Sequence, residues 1–364
     1  MKRLPVYIVG LVLAFVASAS AADYGLLKRL CETPGPAGYE ERVRELIMSE
    51  MAPLVDDIKI DALGNVIGYK RGKGKPRVLV CAHMDEIGFI VSHIDKDGFI
   101  KFLPLGGFDN RTLPAQRVMI LGKKDVPGVI GSKAVHIMTA EERNKVPEIK
   151  DLFIDTGLSG EEVKRLVAVG DRVVMDRQFA DLGPSLTGKC FDDRVGVFVM
   201  LEAMKKVGKT EADIIPIATV QEEVGLRGAV VSAYSTEPDL GVVIDITIAN
   251  DTPGAEEYER ITRLGRGAAI KVMDSSSISS VRLVNYFKQL AEQENIPYQV
   301  EILPRGGTDA GAVQRSRGGV EVITLSIPTR YAHTTVETCN KADVEATIDL
   351  LTAFLKDVAN WYNE

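Results

Sequence analysis

Five short polar clusters in this 364-residue chain carry side chains that could do chemistry: His83-Met84-Asp85, Asp192-Asp193-Arg194, Glu222-Glu223, Asp245 and His333. Two imidazoles with several carboxylates, and no cysteine among them, suit zinc, cobalt or manganese in a reactive centre rather than a structural zinc site. An excess of ligands over the usual three points to two ions sharing a bridging carboxylate. Residues i and i+2 of a strand face the same way, so Asp85 can stand behind the His83 imidazole and orient it. Glu222 and Glu223 are adjacent and can diverge, one to a metal and the other left free as a base. Taken singly, each cluster is ordinary surface or core polarity. Together they are not, because burying that many carboxylates without cations would cost several kcal/mol apiece.

The elements around these clusters explain how they could converge. Arg77 to Ala82 is a short apolar run that reads as a buried strand, and Ile214–Val220, Leu240–Ile246 and Val322–Ile327 read likewise. Helix-like stretches at Val195–Lys206, Val281–Glu294 and Asp343–Tyr362 alternate with them. Tyr39–Val55 has helical spacing, and Ile58–Tyr69 with its Gly64-Asn65 pair suggests a hairpin. Four of the five clusters follow a strand, at the edge where open α/β sheets bind ligands; Asp192-Asp193 stands just before a helix. The texture changes between residues 88 and 178, where short Val/Ile runs are broken by glycine and proline and one helix is signalled by Ser159-Gly160-Glu161-Glu162. The pattern predicts an α/β domain, a sheet layered with helices, made of residues 22–87 and 179–364, with a small β-rich domain at 88–178 inserted into it.

Composition sets the limits. At 45% hydrophobic and 26% charged the chain is an ordinary globular sequence, and its 51 acids against 44 bases argue against nucleic acid as a partner. Lys2-Arg3, the apolar run Leu4–Ala17 and the small residues Ala19-Ser20-Ala21 read as an export signal over residues 1–21, too short for a comfortable membrane span. The expectation is a periplasmic or extracellular protein. Four cysteines without metal-finger spacing do not make a disulfide scaffold, and Cys81 within its apolar run reads as a buried free thiol.

Six segments then stand out in order: Ala82-His83-Met84-Asp85-Glu86-Ile87-Gly88, Phe191-Asp192-Asp193-Arg194, Gln221-Glu222-Glu223-Val224-Gly225, Asp245 with Asp251-Thr252-Pro253-Gly254, Gly306-Gly307-Thr308-Asp309-Ala310-Gly311, and Pro328-Thr329-Arg330-Tyr331-Ala332-His333. The chain resembles the tetrahedral (TET-type) metallo-aminopeptidases, the glutamyl and deblocking aminopeptidases, from near Leu27 to its C-terminus. The resemblance implies a zinc-aminopeptidase-like α/β fold and an exopeptidase with two divalent ions, zinc or cobalt, per subunit. One ion would be held by His83, Asp192 and Asp245, the other by Asp192, Glu223 and His333. Asp192 would bridge, Glu222 would be general base and acid toward a water shared by the ions, and Asp85 would steer His83. The inserted domain would serve dimerisation, with dimers building dodecamers, and the substrates would be peptides.

Other residues carry less. Arg194 and Arg330 each flank a ligand position and could either bind substrate or pair with nearby acids. His93 and His136 read as structural or surface, Trp361 as core, and Gly306–Gly311 lacks the Lys-Ser/Thr of a phosphate loop. A dinuclear deacylase or carboxypeptidase would use similar ligands. A non-catalytic exported binding protein would be expected to have lost a ligand or the base, and a glycosidase would leave the histidines without purpose.

Overall fold

A computed structural model describes residues 24–363, so the export signal read at the N-terminus lies outside the described residues. Four apolar runs form the centre of a mixed sheet of 11 strands. They lie in the order Asp213–Thr219, Arg77–His83, Leu240–Ile248, Glu321–Arg330, all mutually parallel. Their near-continuous hydrophobicity reflects burial on both faces. Val78, Val80 and Ala82 join one apolar cluster while Leu79 and Cys81 join another on the opposite face, the period of two expected of a strand. The helices Phe191–Val207, Val281–Gln293 and Lys341–Tyr362 cover the first face. Arg227–Thr236 and Ala310–Gln314 cover the second.

Antiparallel strands complete the sheet. The hairpin Asp57–Ile60/Val66–Tyr69 adds to Asp213–Thr219, its turn fixed by Asp61, which accepts the backbone N–H groups of Leu63, Gly64 and Asn65. Ala268–Met273 adds antiparallel to Glu321–Arg330, and Glu337–Asn340 folds back on that strand's end. Because the four central strands run the same way, their C-terminal ends share one edge. Thr219 pairs with His83 in register and Asp245 with Ser326, which brings residues far apart in sequence to one line.

The chain leaves this sheet after His83 and builds a closed six-stranded barrel from Gly88–Ile94, Ile100–Leu105, Phe153–Asp155, Asp125–Gly131, Arg117–Leu121 and Arg172–Met175, with every pairing antiparallel. The barrel has its own core around Phe89, Phe102, Ile120, Ile130 and Val173. Its helix Gly160–Leu166 begins at Ser159 with the reciprocal cap predicted from the sequence. His93 and His136 are exposed on this unit. The four cysteines are free and buried, and Trp361 stacks on Tyr286 against the main core.

Candidate metal centre

Four of the five polar clusters sit where regular structure stops, while Asp245 lies within the strand Leu240–Ile248. His83 ends its strand. Asp192 and Asp193 depart from helical dihedrals inside Phe191–Val207, Glu222 and Glu223 follow Thr219 by a short turn, and His333 follows the strand ending at Arg330. Cys190, Gln221, Tyr331 and His333 adopt left-handed backbone conformations without being glycine, which costs roughly 1–2 kcal/mol each and needs tertiary contacts to hold.

The contacts are specific. Ligand atoms of His83, Asp192 and Asp245 lie within 4.8 Å of one another, and so do those of Asp192, Glu223 and His333. Asp192 is common to both groups. Its Oδ1 is 3.0 Å from His83 Nε2 and its Oδ2 is 3.2 Å from His333 Nε2, so each oxygen faces a different imidazole. Glu222 belongs to neither group.

The surroundings fit cations. Asp192, Asp193 and Asp245 are buried, and no arginine or lysine forms an ion pair with them, Glu222 or Glu223 among the described residues. One buried oxygen of Glu223, Oε1, has no hydrogen-bond partner. Burial, reinforced by the Asp192 carboxylate, pushes Glu223 and Asp245 each up to about 8. Burial pushes Glu222 up as well, with Asp245, Asp309 and Glu223 adding to it against the opposing pull of His83. Burial opposes protonation of His333, yet Asp192 and Glu223 outweigh it and raise the imidazole to about 10. Acids held neutral and imidazoles held charged are the response of a cation site to lacking its cation. Between roughly pH 4 and 8 the folded, metal-free protein therefore keeps protons on Asp245 and Glu223 that the unfolded chain has released, and its stability falls as pH rises. The melting temperature in chelator is expected to drop from pH 5 to pH 8, and saturating divalent metal should abolish the drop. A chelated protein equally stable at both pH values would contradict this.

Several roles differ from the sequence reading. Asp85 acts on His83 chiefly through its main chain: the Asp85 carbonyl lies 3.0 Å from His83 Nδ1 and the nearer carboxylate oxygen 3.5 Å. The carboxylate instead accepts the backbone N–H of Glu222 at 2.9 Å and of Glu223 at 3.2 Å, fixing the turn that presents both acids. Of the two roles left open for Arg194, the structure shows the pairing with a neighbouring acid. Arg194 is fully buried, donates to the carbonyls of Leu30, Thr33 and Gly35, and lies 3.6 Å from Glu86. Arg330 is half-exposed at the rim and grips Asp251 with two hydrogen bonds.

Two further residues, Glu337 and Gly107, escaped the sequence, and Asp193, named there only as part of its cluster, gains a role. Glu337 is buried and accepts the backbone N–H of Asp192 at 3.1 Å and of His333 at 2.7 Å, tying two clusters together. Asp193 accepts the N–H groups of His83 and Gly196. Gly107, on the barrel, offers its carbonyl to His333 Nδ1 at 2.9 Å. The Gly306–Gly311 segment opens a short helix, and Asp309 within it accepts the Thr219 hydroxyl beside His83.

Comparison with known proteins shows the family to which the chain belongs. The family model described as M42 glutamyl aminopeptidase matches residues 64–350. The aminopeptidase APDkam598 from Desulfurococcus kamchatkensis superposes with a TM-score of 0.89 at 42% identity, covering 93% of this chain and 95% of that one. The TET1 peptidase of Pyrococcus horikoshii, whose structure is described as a tetrahedron or a large octahedral shell, gives 0.82 at 36% identity over 91% of this chain and 98% of its own. The lysyl aminopeptidase of Pyrococcus furiosus is 36% identical over 345 residues, 92% of this chain and 97% of that protein. With most of its length matched at these identities, the chain belongs to the M42 glutamyl aminopeptidase family of peptide-bond hydrolases.

Proposed function

We propose that this protein removes the N-terminal residue from peptides with the help of two divalent ions, zinc or cobalt, held by His83, Asp192 and Asp245 on one side and by Asp192, Glu223 and His333 on the other. The observation that carries this reading is the pair of donor groups sharing Asp192, with Glu222 beside them and in neither. When bound, such ions polarise a scissile carbonyl and acidify an attacking water. The protein's own part is proton handling and placement. Glu222 takes the water's proton on its carboxylate and returns it to the nitrogen of the leaving amine. Asp85 fixes the turn from which Glu222 projects, and Glu337 holds the backbone of Asp192 and His333 in place. A free substrate amine beside so many carboxylates is favoured by charge, which accounts for trimming from the N-terminus.

Self-association is part of the same proposal, by analogy with the shells of the Pyrococcus horikoshii relative. The barrel is the proposed dimerisation unit, since it is a closed body with its own core, separate from the catalytic sheet. A panel pairing aminoacyl amides with their N-acetylated forms under defined metal loading tests the activity. Cleavage confined to the free-amine members is expected; equal rates on both would overturn the exopeptidase reading and favour a deacylase or other amide hydrolase.

A further inference from the structure

The two imidazoles of the centre are anchored differently. His83 Nδ1 finds its partner two residues away, on the Asp85 carbonyl. His333 Nδ1 finds its partner 226 residues away, on the Gly107 carbonyl, just beyond the barrel strand Ile100–Leu105. Donation from Nδ1–H leaves the lone pair on Nε2, the atom that faces Asp192 and Glu223. A hydrogen bond from the barrel thus sets both the tautomer and the orientation of a proposed ligand.

The turn is also cut to fit. Gly106 has φ +90°, and a methyl group there would stand 2.6 Å from Ile87 Cγ2 and 3.3 Å from Glu223 Oε2. A methyl group at Gly107 would stand 3.3 Å from His333 Nδ1. The next residue, Phe108, stacks on Phe89 with ring centroids 4.4 Å apart and planes 18° from parallel. Phe89 is wholly buried in the barrel core. The glycine turn is therefore anchored on one side by packing against the barrel core while it faces Ile87, Glu223 and His333 on the other.

We infer that the inserted barrel is a working part of the metal centre: through Gly106-Gly107 it positions His333 and Glu223 and so governs the second ion site. The His83–Asp192–Asp245 site is anchored within the α/β domain and does not depend on the turn. The inference rests on the dinuclear reading above. Gly106 and Gly107 are positioning residues, and their effect is on metal binding before it is on turnover.

Calorimetric titration of metal-free full-length protein with cobalt, beside thermal melting without metal, tests this on wild type, Gly106→Ala and Phe108→Ala. Phe108→Ala leaves both glycines in place and removes only the ring anchor, so it reports on the turn even where Gly106→Ala fails to fold. Wild type is expected to take two ions. The variants should keep one at wild-type affinity and lose about 10–100-fold on the other, the range found when a ligand's supporting hydrogen bond is removed. A folded variant that binds both ions as wild type does, or weakens both equally, overturns the barrel's role alone. A wild type that takes fewer than two ions overturns the dinuclear reading and this inference with it.

Discussion

Glu222→Gln is expected to retain its full complement of metal while kcat falls by roughly 10²–10⁴-fold, with KM little changed. Glutamine keeps the size and planar shape of the side chain and removes only the ability to take a proton. Glu222 lies outside both donor groups, so its loss should leave metal affinity alone. Its backbone is held by Asp85, so the substitution has little freedom to move the turn. In the metal-free protein burial, with Asp245, Asp309 and Glu223, raises its proton affinity against the opposing pull of His83. Metal analysis and steady-state kinetics on the same preparation check the prediction. Turnover unchanged with metal retained would remove Glu222 from the mechanism; metal lost together with turnover would make it a ligand.

Asp192→Asn should empty both ion positions. Each carboxylate oxygen faces a different imidazole, at 3.0 and 3.2 Å, and an amide offers one weak oxygen donor and no charge in place of two anionic ones. Affinity at each position is expected to fall by at least about 10–100-fold, the cost of disturbing even a supporting group. Activity should fall with it to the background of the assay. Equilibrium dialysis followed by elemental analysis distinguishes the outcomes. Loss of a single ion would mean that Asp192 serves only one position and that the bridge is misassigned. The backbone of residue 192 stays tied to Glu337 in the variant, so the fold should survive.

What the sequence made legible follows from what side chains alone can announce. The central strands could be read because runs such as Val78-Leu79-Val80-Cys81 are buried on both faces, and the helices because Val43, Ile47 and Met51 recur at helical spacing. The cluster residues could be read because they combine metal-ligating types with strand ends. Glu337 could not, since its work is to accept two backbone N–H groups, and only the folded chain shows which backbone groups lie near it. Gly107 acts through a carbonyl that every residue possesses. Asp85 was found, but its division of labour between carbonyl and carboxylate depends on distances that i, i+2 spacing does not contain. Which of its two open roles Arg194 takes was hidden for a related reason. It neighbours the ligands in sequence, but the non-helical dihedrals at Asp192 and Asp193 separate its direction from theirs, and its guanidinium satisfies the carbonyls of Leu30, Thr33 and Gly35.

The proposed hydrolysis depends on two cations meeting at one carboxylate, and counting them tests it. Metal-free wild type titrated with cobalt, followed by visible absorption and by hydrolysis of an aminoacyl amide, should saturate at two equivalents per chain, with activity appearing as the pair fills. Saturation at one equivalent or fewer, or peptide trimming that persists in excess chelator, would contradict it.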